Sequence, residues 1–146
     1  ADTWASELGL FSKKRPIHIV QWKAVSPGTS GAITPFGTMM SLLGASVIAL
    51  AGTVIFPSID GLFWPLIVLT AAGFLGSAVD TVLGALWQLT YFCTVCGIAT
   101  EKKRHCGRET KQLKGWRWLN NEAVNSLCTL AGSVLAIFFY VVFQTM

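Results

Sequence analysis

Gly61–Leu89, GLFWPLIVLTAAGFLGSAVDTVLGALWQL, decides the reading of this chain. The run is longer than the about 20 apolar residues that carry a helix across a bilayer. It holds a single carboxylate, Asp80. A charge within such a helix costs roughly 2.5–3.5 kcal/mol on insertion scales. Asp80 therefore sits near a membrane face, is buried against a partner, or lines a polar cavity. About two helical turns separate it from the polar sequence that follows.

The rest of the chain agrees with a membrane setting. Of 146 residues 12% are charged and 53% hydrophobic, with a mean hydropathy of +0.58. Soluble domains carry about 25% charged residues. Two more apolar runs stand at 37–56 and 124–143. The expected architecture is thus all-α and multi-pass: one membrane domain over 1–146, with spans at about 37–56, 61–89 and 124–143. Pro57–Asp60 is a short connector, and the Gln-Thr-Met tail is uncharged. Small residues at Gly37, Ser41, Gly44 or Ala45, and Gly52, and at Gly73, Gly76 and Gly84, suit close helix packing in lipid.

All 11 Lys and Arg fall in two blocks, Lys13–Lys23 and Lys102–Arg117. Three crossings put both blocks on one side of the membrane, and the positive-inside rule makes that side cytosolic. Basic blocks tied at both ends to apolar spans speak for topology and against nucleic acid. The opening ADTWASELG has neither an initiating Met nor a signal-peptide pattern, and reads as a piece of a longer chain, with Ala1–Phe11 the end of a helix.

Within 1–36, IHIVQW (17–22) reads as a short strand or extended run, and His18 in it as an ordinary structural histidine. SPGTSG (26–31) is a turn-rich loop. Its glycines, Gly28 and Gly31, let backbone N–H groups face an anion, a weak signal on its own. The second loop, 90–122, contains Cys93-x-x-Cys96 and His105-Cys106. A thiolate pair at this spacing chelates Zn²⁺, and His or Cys completes a tetrahedron. Four protein ligands would make that zinc structural. A redox pair and plain thiols are the other readings. Cys128, in the third span, reads as a small hydrophobe.

Trp116–Asn125, WRWLNNEAVN, pairs belt tryptophans with a polar approach to the third span. Helix capping accounts for one Asn and for Glu122. Asn125, one turn from Asn121, is left over, and a polar face beside Asp80 would suit a metal ion or phosphate. On the cytosolic face the set is then Asp2, Glu7, Lys23, Thr29, Gly31, Asp80, Asn121 and Asn125. Carboxylate and amide oxygens are hard ligands for Mg²⁺, and a lysine with a glycine-rich backbone suits phosphate. Such a set fits nucleotide-dependent phosphoryl transfer onto a lipid, which is mainly positioning and charge neutralisation. Walker A, protein-kinase, HExxH and GxSxG motifs are absent.

DTWASELG, VSPGTSGAITPFG, GSAVDTVLGALWQ and LNNEAVN, in that order and spacing, resemble the transmembrane protein 19 family. More distantly, the first motif is similar to dolichol kinases and CDP-diacylglycerol synthases. The resemblance implies an all-helical membrane protein of which this chain is the C-terminal half. It implies phosphorylation of an isoprenyl, phytyl-like monophosphate by a nucleoside triphosphate, CTP favoured, with Mg²⁺. Asp2, Thr29, Gly31, Asp80 and Asn121 match motif positions. In that scheme Asp2 and Asp80 hold Mg²⁺, and Lys23 with the SPGTSG backbone holds phosphate. Membrane lipid is the surrounding, and a homo-oligomer is left open. The competing readings are a non-catalytic carrier or structural subunit, and a nucleotidyl transferase making a CDP-lipid.

Overall fold

The computed structural model describes residues 1–56 and 61–144; the connector expected at Pro57–Asp60 and the last two residues of the tail lie outside the described residues. Four helices dominate, α1 (Asp2–Gly9), α2 (Pro35–Ile55), α3 (Phe63–Leu86) and α4 (Asn121–Gln144). The last three are long and apolar enough to cross a membrane. All three expected spans are present, with shifted ends. α2 begins earlier because Thr34 accepts the Gly37 N–H at 2.9 Å and Pro35 occupies the first turn. α3 stops at Leu86, so Gln88 and Leu89 belong to the next segment.

The all-α, multi-pass architecture is as expected, and the two polar regions carry short strands between its helices. Ile17–His18 (β1) pairs antiparallel with Ala32–Ile33 (β2), so the extended run is a two-residue strand followed by a turn. In the second loop Thr90–Phe92 (β3) is flanked by Ala99–Thr100 (β4) and Lys111–Lys114 (β7). Arg104–His105 (β5) pairs with Arg108–Glu109 (β6) as a hairpin. Its connecting residues, Cys106 and Gly107, both have positive φ, 50° and 73°, as a two-residue primed turn requires.

α3 is the central helix. It packs against α2 on one side and α4 on the other, while α1 lies along α2. Small residues permit these approaches. A Cβ on Gly76 would stand 3.0 Å from the Cys128 carbonyl oxygen of α4, and one on Gly37 would stand 2.9 Å from the Ala5 carbonyl oxygen of α1. In lipid such packing substitutes for a hydrophobic drive. Leu42, Val47, Ile48 and Val54 on α2, with Leu130, Val134, Ile137 and Phe138 on α4, are exposed apolar surface suited to acyl chains. Trp87, Trp116 and Trp118 stack in series, with centroids 6.0 and 5.7 Å apart, at the end of α3 where both polar regions gather.

Candidate functional site: a cavity with a carboxylate cluster

The segments before α2 fold back onto the helices instead of standing away from them. Gly31, with φ +79°, lies directly on Ala85 of α3, where a side chain would overlap the helix backbone. Ile19 N–H donates to the Gly31 carbonyl at 3.0 Å, tying the turn to the β1 region. Thr29 closes its own turn by donating to the Ser26 carbonyl at 2.7 Å. Beneath this loop, between α1, α2, α3 and α4, lies a cavity of about 1150 Å³. That is at or above the roughly 300–1,000 Å³ usual for a ligand pocket.

The cavity has two characters. At the loop end its wall carries Asp2, Ser77, Asp80, Glu101, Asn121 and Asn125. Farther along the helices it is lined by Ile48 and Gly52 of α2, Leu69 and Ala72 of α3, and Ala136 of α4. From Asp80 to Leu69 the helix rise amounts to roughly 16 Å. A polar head and an apolar arm thus share one space.

The carboxylates are held from three elements. Ser41 Oγ donates to Ser77 Oγ at 3.0 Å, and the Ser77 hydroxyl reaches the Asp2 carboxylate, so α2, α3 and α1 meet in one polar chain. Burial pushes the Asp2 carboxyl above its ordinary range, opposed by the chain's amino terminus and the Ser77 hydrogen bond and aided slightly by Glu101. Asp80 faces Cys128 of α4 and feels the charges of Asp2 and Glu101. Its Oδ2 is buried and has no hydrogen-bond partner among the described residues. A buried carboxylate oxygen without a donor, near two further acids, is a costly arrangement unless a cation or a proton joins it.

Glu101 comes from the second polar loop, and sequence reasoning did not single it out. Gln88 Nε2 donates to Glu101 Oε1 at 2.8 Å, and Ser30 Oγ donates to the same oxygen at 3.3 Å. Glu101 therefore bridges the α3 end and the SPGTSG turn. Gln88 Nε2 also lies 3.4 Å from Asn121 Oδ1. The two asparagine roles separate cleanly. Asn120 Oδ1 accepts the Ala123 N–H at 2.9 Å and caps α4, whereas Asn121 and Asn125 face the cavity.

Outside the cavity, the ligand atoms of Cys93, Cys96, His105 and Cys106 all lie within 4.8 Å of one another. His105 Nδ1 is 3.4 Å from Cys96 Sγ and 3.2 Å from Cys106 Sγ. The Cys96 backbone N–H directed at the Cys93 sulfur holds that thiol down, at about 6. A hydrogen bond with Cys96 drives the Cys106 thiol up, to about 11.

A family model for integral membrane proteins matches residues 1–133. The chain belongs to the DUF92 family. It is 34% identical over 142 residues to an uncharacterized membrane protein of Methanocaldococcus jannaschii, covering 96% of this chain and 46% of that protein. It is 33% identical over 147 residues to Protein PGR of Arabidopsis thaliana, covering 92% and 48%. A third similarity, 28% over 139 residues, is to an uncharacterized membrane protein of Synechocystis. The chain spans about half the length of the curated relatives it matches. No solved structure matches it.

In this DUF92 chain the cavity collects Asp2, Glu7, Gly28, Thr29, Gly31, Asp80, Asn121 and Asn125 from the expected set. Lys23 is the exception. It is exposed, it does not line the cavity, and its carbonyl accepts the His18 N–H at 2.9 Å in the β1 turn. Lys14 is a cation that does line the cavity.

Proposed function

We propose that this chain forms the catalytic half of a membrane-embedded phosphotransferase that phosphorylates an isoprenyl, phytyl-like monophosphate with a nucleoside triphosphate, CTP favoured. The observation that carries the reading is the buried, donorless Oδ2 of Asp80 at the polar end of a cavity whose other end is apolar. Asp2 and Asp80 supply hard oxygen donors from two elements, and the orphaned oxygen fits a Mg²⁺ ligand. Bound there, Mg²⁺ would neutralise phosphate charge.

The chain's own groups take the remaining tasks. The Ser26–Gly31 turn offers backbone N–H groups to phosphate oxygens, with Lys14 as a nearby point charge. Asn121 and Asn125 present amides to the same space. The apolar arm orients a prenyl chain so that its phosphate end lies under the loop and away from bulk lipid, which gives proximity and excludes water. Transfer requires the acceptor phosphate oxygen to lie in line with the terminal phosphoryl group of the donor, and a two-ended cavity supports that alignment. The basic segments at this end support a cytosolic placement by the positive-inside rule, on the side where nucleotide is supplied.

The test uses the full-length parent protein in membranes. CTP, ATP, GTP and UTP, labelled in the terminal phosphate, are offered with phytyl, geranylgeranyl and farnesyl monophosphate. Labelled prenyl diphosphate that disappears in Asp80→Asn, with the variant inserted normally, supports the reading. Absence of product with every pair, from folded protein, refutes it in favour of a carrier or structural role. Release of diphosphate with formation of a CDP-lipid would assign nucleotidyl transfer instead.

A further inference from the structure

The second polar loop lacks a core of its own. Between residues 93 and 114 the strands are two to four residues long, and Cys93, 1% exposed, is the one fully buried side chain there. Val95, Ile98 and Leu113 are exposed. Strands this short do not hold together on their own, and a small scaffold without apolar burial needs a staple. Yet the loop has defined geometry. Cys93 N–H donates to the Ile98 carbonyl at 2.9 Å, Gly97 N–H donates back to the Cys93 carbonyl at 2.9 Å, and Gly97 has φ 72°. That is one tight turn around a Cys-x-x-Cys pair. The Cys106-Gly107 turn presents His105 and Cys106 from the facing hairpin.

We infer that Cys93, Cys96, His105 and Cys106 bind one structural Zn²⁺, and that this ion fixes the loop which carries Glu101 to the mouth of the cavity. Zn–S bonds of about 2.3 Å place tetrahedral ligands about 3.8 Å apart. Four ligand atoms within 4.8 Å of one another need only a small contraction to reach that shape. Three thiols and an imidazole are a soft-to-borderline set that selects zinc over Mg²⁺ or Ca²⁺. All four positions are protein ligands, so no site stays open for a reactive water. His105 approaches through Nδ1, and its own carbonyl lies 3.9 Å from Cys93 Sγ, which knits the two halves before the ion arrives.

The link to the cavity is covalent and short. Glu101 follows β4 directly and lies between the two ligand pairs. Thr110 Oγ1 donates to the Lys102 and Lys103 carbonyls, both at 2.9 Å, closing the segment behind Glu101. With both ends of 96–105 anchored on the ion, Glu101 is held against Gln88 and Ser30. Zinc binding itself does not depend on the phosphotransferase reading; Glu101 acts here as a positioning residue.

The experiment uses the full-length parent purified in micelles without chelator. Metal content, the absorption of a Co²⁺-exchanged sample, and hydrogen exchange over residues 93–114 are measured. The expected results are one zinc per chain, a tetrahedral Co²⁺–thiolate spectrum, and loop amides that lose protection when zinc is stripped and regain it on return of Zn²⁺. Cys96→Ser/Cys106→Ser, both at exposed positions, should lose the stoichiometric metal while α2 and α3 keep their protection. Substoichiometric metal with freely titrating thiols overturns the zinc site. Bound zinc whose removal leaves the exchange of 93–114 unchanged overturns the anchoring of Glu101.

Discussion

Replacing Gly31 by alanine tests how closely the glycine turn is pressed onto α3. The residue has φ +79°, and an added Cβ would overlap the Cβ, Cα and N of Ala85. Those are atoms of a buried helical residue whose carbonyl also accepts from Lys114 Nζ at 2.9 Å, so no rotamer change relieves the clash. The left-handed backbone costs a non-glycine residue about 1–2 kcal/mol. Overpacking adds about 1–3 kcal/mol, for a total of roughly 2–5 kcal/mol. Gly28→Ala is the matched control, because its φ is +80° but nothing lies within 4 Å of an added Cβ. It should show the backbone cost alone. Thermal unfolding of the two variants in micelles, followed by fluorescence of the tryptophan stack, separates the terms. On the usual scaling Gly31→Ala should fall by roughly 4–20 °C and Gly28→Ala by a few degrees. Equal losses in the two variants would refute the close seating of the loop on α3.

Three further outcomes follow from single contacts. Asn120→Ala should cost about 0.5–2 kcal/mol through loss of the α4 cap, whereas Asn125→Ala should leave the unfolding midpoint nearly unchanged and lower turnover, as paired melting and transfer assays would reveal. Lys14→Gln should raise the KM for the anionic substrate about two- to fivefold, the effect of losing an exposed charge contact, while Lys23→Gln leaves it unchanged. His18 is buried, and its Nδ1 accepts the Val20 and Gln21 N–H groups at 3.3 Å each. Burial first, and Lys114 second, lower its pKa below the ordinary 6.5. The unfolded chain therefore binds the proton more readily, so stability is complete above the unfolded pKa and declines as pH falls below it. Melting between about pH 7.5 and pH 5 should show this decline, and His18→Asn should flatten it.

The three spans were legible because lipid demands long apolar helices, and composition alone reports them. Asp80 stood out for the same reason, as a charge where the solvent forbids one. The cysteine spacing already marked the four residues whose side-chain N and S atoms gather within 4.8 Å of one another. Glu101 was hidden because nothing local distinguishes it from the other charges of its loop. Only the two turns that fold 93–106 back on itself bring it to Gln88 and Ser30. Lys23 was grouped with the glycine-rich loop by sequence proximity alone, and proximity does not tell which of the basic residues of 13–23 lines the cavity, which is Lys14. The asparagines were ambiguous since Asn120 and Asn121 are both good caps in sequence, and the hydrogen bond to Ala123 N–H falls to Asn120.

The most direct measurement is the binding of Mn²⁺, as a paramagnetic stand-in for Mg²⁺, to the full-length parent protein. It is followed by electron paramagnetic resonance with and without prenyl monophosphate. The account predicts one saturable ion whose affinity rises when the phosphate is present, and which is lost in Asp80→Asn and in Asp2→Asn with the protein still folded. Undiminished Mn²⁺ binding in Asp80→Asn would contradict the assignment of its buried oxygen as a metal ligand.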